Sequence, residues 1–278
     1  MVIALALLAL TYATLAFGVF ELFRAFPRAW PYWIVVAVAL GAALAGRYRS
    51  ANRSLLRAAH AEIVEPRQYP ELDALFKRLA ALADIPSPQL ALAQTDAANA
   101  FTVGFRRKDA VVVLTKGLRQ RLTGPELEAV VAHELSHIAN RDAAVMTAVA
   151  APRTLGEVMI GDAGGTTLGL VWLIIWPLAI PVYFVGLLLT LIVSRCREFA
   201  ADRGSAMLTG APEELMSALT KLSSGASEIP HEDLRAANVF CIVPTEAALI
   251  SLFSDHPPLE KRLAALAEIA REMGKPVS

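Results

Sequence analysis

His133 and His137 lie four positions apart in the segment His-Glu-Leu-Ser-His, and Glu134 follows the first of them. Residues four apart share one face of a helix, so both imidazoles can reach a single ion. Glu134 would then lie beside an open coordination position, an arrangement that suits zinc. The alternative is a solvated helix with two surface histidines, but the flanking residues are apolar: Val130, Val131, Leu135 and Ile138.

A catalytic zinc site needs a third protein ligand besides an exchangeable water. Glu198 and Asp202 lie four positions apart in a segment with a helical pattern. This spacing lets Glu198 bind the metal while Asp202 accepts the second ring N–H of a ligand histidine. Without a metal, these acids would be ordinary partners for the neighbouring arginines: Arg195, Arg197 and Arg203.

The order of these motifs resembles that of the HtpX family of membrane zinc peptidases, relatives of the type I CAAX prenyl proteases. HELSH is followed by Asn140 and Asp142, then by an apolar insertion and by the sequence SRCREFAAD. One departure is Phe199, at a position where the family commonly has tyrosine. Three further segments agree with the family: Asn99–Gly104, Val113–Leu118 and Asp255–Arg262.

The resemblance implies a peptidase with one zinc ion per chain, bound by His133, His137 and Glu198. Zinc would lower the pKa of its water toward ~7 and polarise the scissile carbonyl. Glu134 would act as the base that takes the proton of this water and returns it to the leaving amine.

Two further assignments concern groups around the reacting carbonyl. His256, in a His-Pro-Pro turn, is a candidate donor to the tetrahedral oxyanion, or else a plain turn residue before a helix from Leu259 to Met273. Asn99 and Phe101 are candidate substrate-binding residues, because their segment offers a strand edge to which an extended peptide can add. The alternative is a well-packed hairpin.

The elements that must position these residues are mostly helical. Thr123-Gly124-Pro125-Glu126 matches a capping box and predicts a helix with HELSH at its middle. Another helix is predicted over Glu71–Ala83, and short strands over Gln89–Ala93 and Ala110–Leu114. The predicted fold is a mainly α membrane protein, with a helical zincin-like metallopeptidase domain that has a small β-sheet and is interrupted by a membrane insertion.

Composition predicts membrane spans, since 55% of the 278 residues are hydrophobic and the mean hydropathy is +0.48. Val2–Phe20 and Trp30–Gly46 carry no charge and approach the ~20 residues that a bilayer core requires. A cleaved signal peptide is the alternative for the first run. Four arginines follow the second run and predict a cytoplasmic domain after it: Arg47, Arg49, Arg53 and Arg57.

A third uncharged run, Leu168–Val193, contains Pro177 and Pro181, which are expected to kink it. The histidines before this run and the acid after it can bind one metal only if the chain crosses the membrane an even number of times. The partner span is therefore Ala143–Ile160, which is weakly apolar and contains two charged residues. Four spans are predicted, with two spans and an interfacial hairpin as the alternative.

No helix breaker lies between Val193 and Glu198, so one helix is predicted to run from the bilayer to the metal over roughly 8 Å. The predicted domains are two N-terminal transmembrane helices, the first half of the peptidase domain, the membrane insertion and the second half of the peptidase domain, over residues 1–46, 47–142, 143–193 and 194–278.

The predicted function is that of a zinc endopeptidase which cleaves membrane or misfolded proteins at the cytoplasmic face of the inner membrane, in protein quality control under stress. Alternatives are a CAAX-type processing peptidase of lipidated tails and a non-catalytic zinc-stabilised scaffold, against which the retained Glu134 argues. The predicted partners are polypeptides and the bilayer. The 26 basic and 26 acidic residues do not favour nucleic acid, and Cys196 and Cys241 receive no role.

Overall fold

The computed structural model describes residues 2–25, 28, 31, 34, 38, 56–57, 59–161, 169–225 and 257–275. Two units divide the chain: Met1–Ala51 with Met146–Val193, and Asn52–Val145 with Ser194–Ser278. Most of the second predicted span, Trp30–Gly46, lies outside the described residues.

Helices account for most of the described residues, as predicted. In chain order they are α1 Val2–Ala25, α2 Pro70–Leu82, α3 Lys116–Arg121, α4 Gly124–Ala139, α5 Asp142–Gly161, α6 Gly169–Thr209, α7 Pro212–Gly225 and α8 Leu259–Glu272. Two short 3-10 turns, Pro66–Gln68 and Arg107–Asp109, lie within the connections.

The second unit contains a mixed four-stranded sheet. Its strands are β1 Ala61–Ile63, β2 Gln89–Ala93, β3 Ala100–Val103 and β4 Val111–Thr115, in the spatial order β1-β2-β4-β3. β2 and β4 are parallel, and the two outer strands run antiparallel to their neighbours. β2 and β4 confirm the two predicted strands, with β4 shifted by one residue. Every residue of β4 is buried, because both faces of this central strand are covered.

Helix α4 begins as the capping box predicts. The side chain of Thr123 accepts a hydrogen bond from the third helical residue, and its backbone N–H donates to Glu126 Oε2 at 2.8 Å. α4 packs against α2, α7 and β3. Consequently, ten of its sixteen residues are buried, including most of the HELSH segment. A helix buried on several sides gives the HELSH residues a fixed frame.

Helix α6 is continuous from Gly169 through Thr209, so the prediction of one unbroken helix between Val193 and Glu198 is confirmed. Pro177 and Pro181 both lie inside this helix. Among the described residues, one helical segment, Ile180–Thr209, is long and apolar enough to cross a membrane by length and composition. The multi-pass topology predicted from the sequence goes beyond this finding.

In the first unit, α5 and α6 run antiparallel. Val149 of α5 shares a buried cluster with Leu189 of α6, and Gly186 lies against the backbone of Arg153. A Cβ added at Gly186 would fall 2.4 Å from the Arg153 nitrogen, so the helices approach at a distance that only glycine allows. Helix α1 joins them, since the Tyr12 hydroxyl donates to the Ala148 carbonyl at 2.7 Å.

Candidate metal centre

The HELSH segment presents its charged groups from the middle of α4. His133 is 1% exposed and Glu134 is 3% exposed, while His137, one turn further on, is partly buried. The two imidazole planes are nearly perpendicular, at 85°, and their Nε2 atoms lie 3.2 Å apart. Helical spacing thus brings two nitrogen ligands to one point in a setting that excludes most water.

Glu198 reaches the same point from α6. Its Oε2 lies 3.6 Å from His133 Nε2, and its Oε1 lies 3.7 Å from His137 Nε2. The ligand atoms of these three residues all lie within 4.8 Å of one another. The residues predicted to bind the metal from the sequence are therefore adjacent in the second unit.

Close packing of α6 on α4 fixes the position of Glu198. A Cβ at Gly204 would fall 2.3 Å from Ser136 Oγ, so the two helices meet at a glycine. One position further, the Ser205 hydroxyl donates to the Ala129 carbonyl at 2.6 Å. These contacts lie about two turns from Glu198 along α6. They fix the position of α6 against α4, and therefore the position from which the Glu198 carboxylate extends.

The outer nitrogen of each histidine contacts a carboxylate. His133 Nδ1 lies 3.1 Å from Asp202 Oδ1, and His137 Nδ1 lies 2.5 Å from Asp142 Oδ2. A carboxylate beside Nδ1 keeps the proton on that nitrogen, which leaves the Nε2 lone pair for a metal. Asp202 was predicted in this position, and Asp142 performs the same task for the second histidine.

The arrangement suits a cation at its centre, because two imidazole Nε2 atoms and a carboxylate converge at a buried point. Burial lowers the pKa of His133, but hydrogen bonds to Asp202 and Glu198 outweigh that effect and raise it to about 9. Tetrahedral ligands at zinc–nitrogen distances would lie about 3.3 Å apart, close to the 3.2 to 3.7 Å separations found here. Two imidazoles and one carboxylate are also a set that catalytic zinc uses.

Arg262 of α8 neutralises the carboxylates behind the ligands. It is 2% exposed, its Nε and Nη2 contact the two oxygens of Asp202 at 2.8 and 2.5 Å, and its Nη1 lies 3.6 Å from Glu198 Oε2. Burial lowers the pKa of Arg262, but attraction to Asp202 outweighs it and raises the pKa above the ordinary value. Two buried carboxylates would be very unfavourable without this cation.

Asp142 reaches His137 through a sharp reversal of the chain after α4. Asn140 ends the helix, and Arg141 adopts a left-handed conformation with φ of 57°. Asp142 then begins α5 and also lies 3.8 Å from the Arg197 Nε. A non-glycine residue rarely takes this conformation, and here it turns the first residue of α5 back onto the site.

Glu134 has a partner on the sheet. The Thr102 hydroxyl of β3 donates to Glu134 Oε2 at 2.7 Å. The neighbouring strand residues, Phe101 and Val103, belong to a hydrophobic cluster on the other face of the sheet. Because side chains alternate along a strand, Thr102 faces α4.

Comparison with known proteins agrees with this site. Residues 66–270 match the sequence profile of peptidase family M48. The chain belongs to this family. Among its M48 relatives, the protease HtpX homolog of Moorella thermoacetica is 42% identical over 86% of this chain and 84% of that one. HtpX homolog 2 of Methanosarcina acetivorans is 41% identical over 84% of each chain. HtpX homolog 1 of Streptomyces coelicolor is 38% identical over 87% and 85%.

The fold of this M48 chain resembles that of a solved structure. The crystal structure of S. mikatae Ste24p matches with a TM-score of 0.55 at 18% identity, over 96% of this chain and 67% of that one. At this identity the likeness concerns the fold. The family match and the HtpX relatives, rather than this fold likeness, make the M48 chain a membrane-associated zinc metalloprotease.

Two other residues predicted for the M48 site, Asn99 and Phe101, are not among the three clustered ligand residues. Asn99 and Phe101 are each 5% exposed, and the Asn99 backbone exchanges hydrogen bonds with the Thr115 hydroxyl at 2.8 and 2.9 Å. Their part in substrate binding stays a prediction. His256 lies outside the described residues.

Three residues of the M48 site were not given a role from the sequence: Thr102, Asp142 and Arg262. All three lie within segments that carried the family resemblance, and a buried ligand set without enough positive charge was a further, physical signal for Arg262. Thr102 had no such signal, because its role depends on the packing of β3 against α4.

Proposed function

We propose that this M48 protease is a multi-pass membrane endopeptidase that uses one zinc ion, held by His133, His137 and Glu198, to cleave membrane or misfolded proteins at the cytoplasmic face. The observation that supports it best is the convergence, from two helices, of three potential ligand atoms that lie within 4.8 Å of one another. The role fits protein quality control.

Zinc, when bound, supplies a Lewis acid that makes water acidic near neutral pH and polarises a carbonyl. Glu134 acts as the general base and passes the proton to the leaving amine. Its position next to His133 on the same helix supports this role. Asp202 and Asp142 hold the two imidazoles in the tautomer that ligation requires, and Arg262 offsets the negative charge of the surrounding carboxylates.

Helix α6 supports a site close to the membrane surface. The uncharged run ends at Val193, and Glu198 follows five residues later on the same helix, a rise of about 8 Å. A protease so placed acts on polypeptide near the bilayer, such as loops of membrane proteins. The arginines that follow residue 46 favour the cytoplasmic side.

Strand β3 supports a mode of substrate binding. It is the outer strand of the sheet beside β4 and packs against α4. An extended peptide that adds to this edge would lie along the HELSH helix. In this arrangement Asn99 and Phe101 contribute to substrate binding by holding the strand edge in place. His256 donates a hydrogen bond to the oxyanion.

Processing of lipidated tails, the alternative that the family resemblance raised in the sequence analysis, is a second candidate function. The two candidates differ in substrate, so cleavage of a farnesylated peptide against that of its unmodified form separates them.

The proposed function is tested with purified protein in detergent micelles, by zinc analysis and by cleavage of casein or a model membrane protein. Glu134→Gln is expected to retain one zinc and to lose activity. Glu128→Gln is the matched control on the same helix, since its carboxylate pairs with Arg78 at 2.7 Å, and it is expected to cleave normally. Activity of Glu134→Gln equal to that of the unmodified protein would rule out the mechanism.

A further inference from the structure

The geometry points to Thr102 as a positioning residue for Glu134: its hydroxyl holds the carboxylate in the orientation needed for proton transfer. This inference rests on Glu134 acting as the general base proposed above. Thr102 touches neither the proposed ligands nor the carboxylates behind them in the contacts described. Its effect would therefore be exerted through Glu134.

The contact between Thr102 and Glu134 is short and well directed. The hydroxyl lies 2.7 Å from Glu134 Oε2 and 3.5 Å from the Glu134 carbonyl oxygen. A hydroxyl bonded to an ionised carboxylate at this distance is among the stronger hydrogen bonds in proteins. The shorter contact therefore restrains the side chain of Glu134.

A restraint on Glu134 is needed because α4 alone does not fix its side chain. A glutamate has three rotatable bonds, and ordering it costs roughly 1.5–2 kcal/mol. Glu134 is 3% exposed, so water offers it few alternative hydrogen bonds. Thr102 supplies a donor from a different element, which selects one orientation of the carboxylate.

The strand that carries Thr102 is itself fixed to α4. The side chain of Arg107, just beyond β3, donates to the Ala139 carbonyl at the end of α4. On the strand, Phe101 and Val103 pack into the hydrophobic cluster of the opposite sheet face. The strand that carries Thr102 is thus held by one contact to α4 beyond its last residue and by packing on its opposite face.

The face of β3 that carries Thr102 is otherwise apolar. Ala100 shares this face and belongs to the main hydrophobic core, and Val112 lies opposite Thr102 on β4. A valine at position 102 would match these surroundings and would preserve the β-branched shape. The hydroxyl is therefore explained by its bond to Glu134, rather than by the packing of the strand.

Thr102→Val, Thr102→Ser and Thr220→Val are compared with the unmodified protein for zinc content, kcat and KM. Thr220 is the matched control, because its hydroxyl bonds the Met216 carbonyl of its own helix at 2.8 Å. Thr102→Val is expected to lower kcat by roughly 10- to 100-fold, because a hydrogen bond to a charged group is worth a free energy of that size. KM and zinc content should remain within twofold, and Thr102→Ser and Thr220→Val should resemble the unmodified protein.

A double-mutant cycle supplies a readout that does not depend on activity. Thermal unfolding of Thr102→Val, Glu134→Ala and the double variant is expected to give non-additive shifts in Tm, because each single change removes the same bond. Additive shifts, a kcat of Thr102→Val within twofold of the unmodified protein, or a serine variant as impaired as the valine variant would overturn the inference. An active Glu134→Gln protein would instead overturn the proposed function, and the cycle would still report on the contact.

Discussion

His137 Nδ1 lies 2.5 Å from Asp142 Oδ2, and this pair connects the end of the HELSH helix to the first residue of α5. Asp142 is also close to Arg197, at 3.8 Å from its Nε. The carboxylate therefore lies between an imidazole of the proposed zinc site and a cation beside Glu198. Removal of the Asp142 carboxylate should lower the affinity for zinc more than it lowers the stability of the fold.

Asp142→Asn is expected to lower zinc affinity by roughly 10- to 100-fold, the usual effect of losing a carboxylate behind a ligand histidine. The measurement is the zinc Kd, by competition with a chromogenic chelator. Asp96→Asn is the control, because Asp96 pairs with Lys116 at an exposed position. Equal affinities for the Asp142 variant and the control would show that Asp142 does not support the metal.

Arg262→Met is expected to destabilise the protein by about 3–5 kcal/mol, because it leaves the buried charge of Asp202 without the cation that bonds both of its oxygens. Thermal unfolding measures this change. Arg271→Met, on the same helix, is the control, since Arg271 is exposed and bonds the carbonyl of Ala267. A loss of stability no greater than that of the control would contradict the charge balance described here.

Gly204→Ala should force α6 away from α4, because the new Cβ would fall 2.3 Å from Ser136 Oγ. Overpacking of this kind costs about 1–3 kcal/mol, and the movement of Glu198 should also weaken zinc binding. Gly124→Ala provides the comparison, since a Cβ there meets nothing within 4 Å. Calorimetry and zinc titration of both variants test the expectation, which fails if the two behave alike.

The lowered pKa of the Glu126 carboxyl leads to a specific dependence of folding stability on pH. Burial raises the pKa of its carboxyl, but hydrogen bonds from Lys221, Ser217 and Thr123 outweigh it and lower the pKa to about 2. A carboxyl with a depressed pKa stabilises the fold above its unfolded value of ~4.3 and loses that contribution as the pH falls through the folded value.

The stability difference between the unmodified protein and Glu126→Gln should therefore be constant near neutral pH and shrink from about pH 4.3 toward pH 2. The salt bridge is partly solvated, as Lys221 is 44% exposed, so the difference should be smaller than the pKa shift alone implies. Denaturant unfolding at several pH values measures it. A difference that does not change below pH 4.3 would exclude this role for Glu126.

Local signals were sufficient to predict the central helix and the three proposed ligands. The capping box at Thr123 predicted where α4 begins, and the four-residue spacing of the histidines predicted their common face. Glu198 followed from a second helical segment and from the family resemblance. These features depend on neighbours within one or two helical turns, which a sequence pattern records directly.

The roles of residues that depend on tertiary contacts could not be predicted from local sequence patterns. The bond from Thr102 to Glu134 depends on β3 packing against α4, and the contact of Asp142 depends on a left-handed residue, Arg141, at the helix end. Arg262 reaches Asp202 from 60 residues away along the chain. The parallel pairing of β2 with β4 and the three-residue strand β1 likewise follow from long-range packing, since neither has a distinctive local pattern.

The separation of these groups along the chain also sets an order of events during synthesis. A growing polypeptide contains both histidines long before Glu198, which the ribosome adds only after the apolar segment of α6. Arg262 comes later still, on α8. The nascent protein thus has no complete set of proposed ligands until that segment has emerged, and the guanidinium that pairs with Asp202 is added only when α8 is made.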